Sequence, residues 1–303
     1  MVEAAESASA VPEPRRFAST PLWRRLVRQP VTVAAGFILT SIFVSGALVP
    51  QYTPPVAGIH LSQRWLNHPP MLSGWHLLGT DAIGRDMLPR VLHGLHTSEQ
   101  SALAATFVAT VIGIMLGGIA GYRGGRLDAL IMRITDLVGV FPALMLLLAI
   151  YTWWQPVTAW RATAIFALYL WVPMARVVRA EISSLREREF VQAELSLGAT
   201  DRRIFFRHLL PNASGTIIIA ATSLLGQVFV LEATVEFFGL GVPSDLYPTL
   251  GNLIGDGQRF AFALGQGWWT WAGPAAVLML ILVCVNLLGD GLVDALRPAR
   301  ARR

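Results

Sequence analysis

Two glutamates four residues apart, Glu232 and Glu236, lie in a stretch that otherwise carries almost no charge. An ionised carboxylate at the centre of an apolar span costs about 2.5–3.5 kcal/mol, so it is placed facing a protein interior or a watery cavity. Two readings stay open for the pair. In one, Glu232 bonds to a neighbouring helix and Glu236 is solvated at an interface. In the other, both line the outer mouth of a pathway and meet a cationic group on a substrate. His93 and His96 are spaced to share a helix face but lack further ligands, so no metal site is expected. The chain has no lysine and hence no phosphate-cradling loop of the Gly-Lys-Ser/Thr type. Neither His-Glu-x-x-His nor Gly-x-Ser-x-Gly occurs, and Cys284 is the only cysteine. No residue is singled out as catalytic.

The elements that would carry these groups are apolar spans. Of 303 residues, 54% are hydrophobic and 14% charged, against about a quarter charged in an ordinary soluble domain. A bilayer-crossing helix needs about 20 mostly apolar residues. Six stretches qualify: Val31–Val49, Ser101–Tyr122, Asp128–Tyr151, Ala162–Val178, Thr216–Phe238 and Pro274–Leu292. The first follows Arg24, Arg25 and Arg28 but is longer than a signal core, and it reads as a retained anchor. Pro142 and Pro173 are expected only to kink their helices. Asp128, Arg133 and Asp136 are spaced to pair with one another.

All 24 basic residues are arginines. With a cytoplasmic N-terminus, 19 fall on the inner side and 5 on the outer, which favours both termini inside. Arginines grouped beside spans speak for a lipid bilayer as the partner and against nucleic acid. The chain divides into a cytoplasmic tail (1–30), an anchor helix with an outer segment (31–100), and a core of five spans (101–303). The start of the tail, rich in Ala, Ser, Glu and Pro, reads as disordered. Between Gly239 and Trp271 the outer segment shows turn signals at Gly241-Val242-Pro243 and Gly251-Asn252. The tryptophans Trp268, Trp269 and Trp271 fit the headgroup level.

The inner segment 189–212 has its own local logic. Helix formers run through Gln192, Ala193 and Glu194 to Leu197, and Gly198 is suited to a left-handed end. Thr200 or Asp201 can cap a second helix carrying Arg202, Arg203 and Arg207. That helix is expected to run to about Leu210, with Pro211 marking its end. Ile204, Phe205, His208 and Leu209 share one of its faces.

This segment resembles the coupling loop of bacterial ABC importer permeases, which reads Glu-Ala-Ala, three residues, Gly, then about ten residues to Leu-Pro. Ala193, Gly198, Leu210 and Pro211 stand at the matching positions, while Gln192 and Glu194 depart from it. Three further stretches narrow the resemblance to the shorter permease of the dipeptide, oligopeptide and nickel importers. They are Leu78-Gly79-Thr80-Asp81 with Gly84-Arg85-Asp86, Phe237-Phe238-Gly239-Leu240-Gly241 after Glu232, and the run from Asn286-Leu287-Leu288-Gly289-Asp290-Gly291 through Leu292-Val293-Asp294-Ala295-Leu296 to Arg297-Pro298. Thr80 and Asp81 can cap a short helix, and Asp81, Arg85 and Asp86 can pair as an outer structural clasp.

The resemblance implies an all-α, six-span, type I ABC importer permease fold in the bacterial inner membrane. It implies a homologous second permease, ATPase subunits or a tandem ATPase holding ATP and Mg²⁺, and an extracytoplasmic substrate-binding protein. The substrate it implies is a short peptide or a related small solute. No cofactor is expected in this chain. The rival class is an ion-coupled secondary transporter, which would need deep carboxylates and repeated halves. A receptor or scaffold, the third class, would transport nothing.

Overall fold

A computed structural model describes residues 26–52, 66–71, 76–155, 158–241 and 247–296. The start of the tail, the Val242-Pro243 turn and the terminal Arg297-Pro298 fall outside the described residues. Nine helices carry the described part: α1 (Pro30–Tyr52), α2 (Met87–Arg123), α3 (Gly125–Gly139), α4 (Ala143–Trp153) and α5 (Ala159–Arg186). They continue with α6 (Glu189–Ser196), α7 (Asp201–Phe237), α8 (Leu250–Leu264) and α9 (Trp269–Leu296). The described residues contain no strand, only an isolated bridge between Thr80 and Asp86.

Among the described residues five helices are long and apolar enough to cross a membrane, and α3 with α4, bent by 81° at the break, makes a sixth if the pair counts as one span. That bend corrects the single kinked span expected over Asp128–Tyr151. Pro142 disfavours helical geometry at Phe141, and Pro142 itself is extended, with ψ at 124°. The chain therefore restarts rather than kinks. Large apolar side chains remain exposed around the bundle, including Phe107, Met115, Leu168 and Met279. A surface as apolar as the core is what lipid requires of a spanning bundle.

The centre is the pairing of α2 with α5. Gly113, Gly117 and Gly121 recur every fourth residue on one face of α2 and lie against Met174, Ala175 and Arg179 of α5. In lipid no hydrophobic force draws helices together, so close packing of small residues does that work. Arg179 grips Asp128 of α3 through two bonds of 2.6 Å, and Arg176 reaches Asp136 at 3.0 Å. Asp128 and Asp136 thus pair across to α5, 51 and 40 residues away, and not with Arg133. Side chains one to two turns apart on a single helix lie too close to hold it against a neighbour; these pairs fix the broken span to the core.

Two further differences from the sequence reading concern helix ends. The second span begins at Met87 rather than Ser101, because Asp86 caps it by accepting from the Leu88 amide at 2.9 Å. Its first turns bury Arg90, Ser98 and Glu99 against protein, and such polar residues hide a helix from a hydropathy reading. Gly251-Asn252 is no turn. It opens α8, where Thr249 and Asn252 form a reciprocal capping box.

Candidate functional site: a docking face joined to a cavity

At the arginine-rich end of the bundle, α6 stops at Ser196 and Gly198 takes φ +77°. Thr200 caps the next helix by accepting from the Arg203 amide at 3.4 Å. The inner side of this bend is pinned. Val191, Ile204 and Leu209 are fully buried, Tyr122 donates to Asp201 at 2.7 Å, and the Phe205 ring lies on Gly118 of α2. His208 lies beside Glu194, with Nε2 at 3.6 Å from the carboxylate, beyond hydrogen-bond distance. Gln192 donates to the Arg186 carbonyl at 3.2 Å and is otherwise exposed, as is Ala193. The outer side is open. Leu197 is 83% and Phe206 60% exposed, and Thr200, Arg202, Arg203, Phe206 and Arg207 line an open recess of about 670 Å³.

Pro211 does not end this second helix. Ile204–Leu209 is a π-helical turn in which the Leu210 amide donates to the Phe205 carbonyl, five residues back. The wider turn relieves the clash a proline ring makes with the carbonyl four residues earlier, and the helix runs on to Phe237. Leu210 is half-buried and Pro211 exposed at this junction. One rod of 37 residues, roughly 55 Å at 1.5 Å per residue, therefore joins the recess to a groove that lies open along the side of the single chain. There Ser223, Gly226 and Gln227 of α7 form a wall of this open cavity of about 680 Å³. The remaining wall comes from Gly139 and Ala143 at the break, Tyr169, Pro173 and Arg176 of α5, and Asn286 of α9, among others.

Residues 113–302 match the family model described as the binding-protein-dependent transport system inner membrane component. The chain belongs to that family. It is 38% identical to the oligopeptide transport system permease protein OppC of Mycobacterium tuberculosis (strain ATCC 25618 / H37Rv), over 93% of this chain and 96% of the relative. It is 33% identical to the dipeptide transport system permease protein DppC of Bacillus subtilis (strain 168), over 97% of this chain and 90% of the relative. Its fold is similar to the MetNI methionine ABC transporter in an inward-facing conformation. That match has a TM-score of 0.57 and 18% identity, covering 70% of this chain and 98% of the other. The chain is thus a multi-pass inner-membrane permease subunit of an ABC importer, with the all-α importer-permease fold.

Toward the opposite end of this permease, Glu232 and Glu236 are both 3% exposed. Glu232 lies beside Ser98 and Ser101 of α2. The Glu236 carboxylate rests on Gly241, where any side chain would collide with it, and α8 packs over it through Gly251. Solvation of Glu236 at an interface is therefore not observed. In the Thr80–Asp86 segment, Asp81 accepts from the amides of Ile83 and Arg85 and from the Arg85 side chain at 2.6 Å. Thr80 accepts from the His68 amide and takes the Trp269 indole on its carbonyl at 3.1 Å. Asp86 caps α2 and meets His76 at 3.2 Å, so the helix cap is Asp86 rather than Thr80 or Asp81. Sequence reasoning missed α8 and the cavity. The Thr249-x-x-Asn252 capping box was the available signal for the first, and the Gly139–Pro142 spacing for the second.

Proposed function

We propose that this permease imports short peptides, paired with a homologous permease, and that an ATPase drives it by docking on the bend between Gln192 and Pro211. The observation that carries the docking assignment is the two-sided construction of the bend. Its inner side is held by Tyr122, by Gly118 and by buried Val191, Ile204 and Leu209, while Leu197, Phe206 and the arginines face outward with nothing over them in the single chain. An apolar centre with a cationic rim fits a partner groove that is apolar within and acidic at its edge. Displacing the bend moves the α7 rod and with it a cavity wall. The arginine distribution supports a cytoplasmic position for this face and for both termini. ATP and Mg²⁺ are held by the partner ATPases, and an extracytoplasmic binding protein delivers the peptide at the other end. The peptide assignment is supported by the oligopeptide and dipeptide permeases it resembles.

The test is site-directed cross-linking to the ATPase, with Phe206→Cys and Leu197→Cys in a Cys284→Ser background. Both positions should cross-link to the ATPase subunit, and Met115→Cys, on the lipid-facing surface, should not. Absence of any ATPase adduct from both positions would remove the docking assignment.

Glu232 and Glu236 follow directly beyond Val230 and Leu231, which border the cavity. In this reading they form the outer end of the route, covered by α8 and opened when the core rearranges. A Glu232→Gln/Glu236→Gln double variant should lower peptide uptake about tenfold or more, because in this reading the pair lines the outer mouth and meets a cationic group on the peptide. Uptake at the parental rate would take both residues out of the route. Thr80, Asp81, Arg85 and Asp86 serve as the outer clasp joining the loop before α2 to α9.

A further inference from the structure

The cavity beside the break in the third span is built from backbone irregularities as well as side chains. Non-helical backbone at membrane depth is tolerated where it is buried in protein or borders water, and Gly139 and Ala143, on either side of the break, both line this space. Pro173 lies inside α5; it has no amide hydrogen, so it leaves the Tyr169 carbonyl without its helical donor. Both residues border the cavity. Its polar side chains converge from three helices: Arg176 of α5, Ser223 and Gln227 of α7, and Asn286 of α9. It is a groove open along one side, with Arg176, Ser223, Gln227 and Asn286 exposed in it, and at about 680 Å³ it falls within the roughly 300–1,000 Å³ of clefts that take small ligands.

Arg176 is the cationic side chain of that lining. Its Nη2 donates to the Thr135 carbonyl at 3.3 Å and to Asp136 Oδ1 at 3.0 Å, and its guanidinium lies against Gly139. Among the described residues, Nε and Nη1 take no acceptor, and the side chain is 49% exposed. A planar guanidinium held on one edge presents its other donors in the fork that suits a carboxylate. A charged side chain that faces a groove among spanning helices, and is held there by a partner, is a candidate for meeting a ligand group.

We propose that this cavity is a binding site for a peptide-like solute, and that Arg176 holds the solute's carboxylate. Gln227, Asn286 and the Tyr169 carbonyl supply the remaining donors and acceptors, a set that matches amide groups along a peptide. The proposal rests on the reading of this permease as a peptide importer and adds the side chain that meets the peptide's C-terminus. The purely structural alternative is that Arg176 only fastens the end of α3 to α5.

The test uses the complete importer in nanodiscs, without nucleotide or binding protein, and equilibrium binding of radiolabelled trialanine and its C-terminal amide. The parental importer should bind the free acid about tenfold or more tightly than the amide, as a charge-assisted hydrogen bond commands. Arg176→Gln should bring the two affinities together, through weaker binding of the free acid. Arg176→Lys, which keeps a cation beside Asp136, should leave a smaller acid preference and carries the test if Arg176→Gln fails to assemble. Equal binding of acid and amide by the parental importer overturns the proposal, as does no binding at millimolar peptide or a preference unchanged by the substitutions. Uptake of trialanine with the binding protein present is measured in parallel. No uptake there would sink the peptide reading itself, whereas uptake with no role for Arg176 in binding would sink only this assignment.

Discussion

An importer carrying Gly198→Trp should insert and assemble normally yet lose peptide uptake by about tenfold or more, with ATP hydrolysis no longer responding to loaded binding protein. Gly198 stands at φ +77°, a backbone region that costs an L-residue about 1–2 kcal/mol. A Cβ built there meets nothing within 4 Å inside this chain. Strain and projection into the partner's groove are therefore separable. Gly198→Asn tolerates the left-handed backbone and should retain most activity. Gly198→Ala should show the strain alone as a partial loss, and Gly198→Trp should add the bulk. Uptake and ATPase rates in proteoliposomes, with membrane insertion followed by immunoblot, give the series. Parental coupling in Gly198→Trp would mean that no partner closes over the bend.

Gly117→Leu should fail one stage earlier, in assembly. A side chain at Gly117 runs into the Ala175 backbone of α5, which cannot swing aside as a flexible side chain would. Overpacking of this kind costs about 1–3 kcal/mol or more, and it falls at the centre of the α2–α5 pair. The recovered fraction of monodisperse complex in detergent should drop severalfold. Met115→Leu, two residues away on the exposed side of α2, should leave it unchanged. Equal recovery of Gly117→Leu would show that α2 and α5 are not held at this distance.

Both predictions mix what is legible in the residues with what is not. The bend at Gly198 and the cap at Thr200 are written locally, in residue types that act on their own backbone, and they stand where the pattern puts them. The five long apolar helices are legible for a similar reason, since lipid selects on composition. Partners are a different matter. Asp128 meets Arg179 across 51 residues and Asp136 meets Arg176 across 40, and no local rule selects those pairs over Arg133. The first turns of α2 were obscured because Arg90, Ser98 and Glu99 are polar yet buried. Helix α8 was obscured by its glycines. Side chains at Gly251, Gly255 and Gly257 would strike Ala233, Phe237 and Thr270, so residues that weaken a helix in isolation are what lets this one pack. Pro211 misled because a proline ends an α-helix but can follow a π-turn within a longer one. The π-turn also makes the bend after Gly198 and the wall of the groove parts of one helix.

The central claim is that peptide movement through this permease is driven by ATP hydrolysis in docked partners. Its most direct test is uptake of radiolabelled peptide into proteoliposomes holding the complete importer and its binding protein. Uptake should require ATP and continue at the same rate when ionophores collapse every ion gradient. Uptake that proceeds without ATP and stops when the gradients collapse would contradict it and identify an ion-coupled transporter.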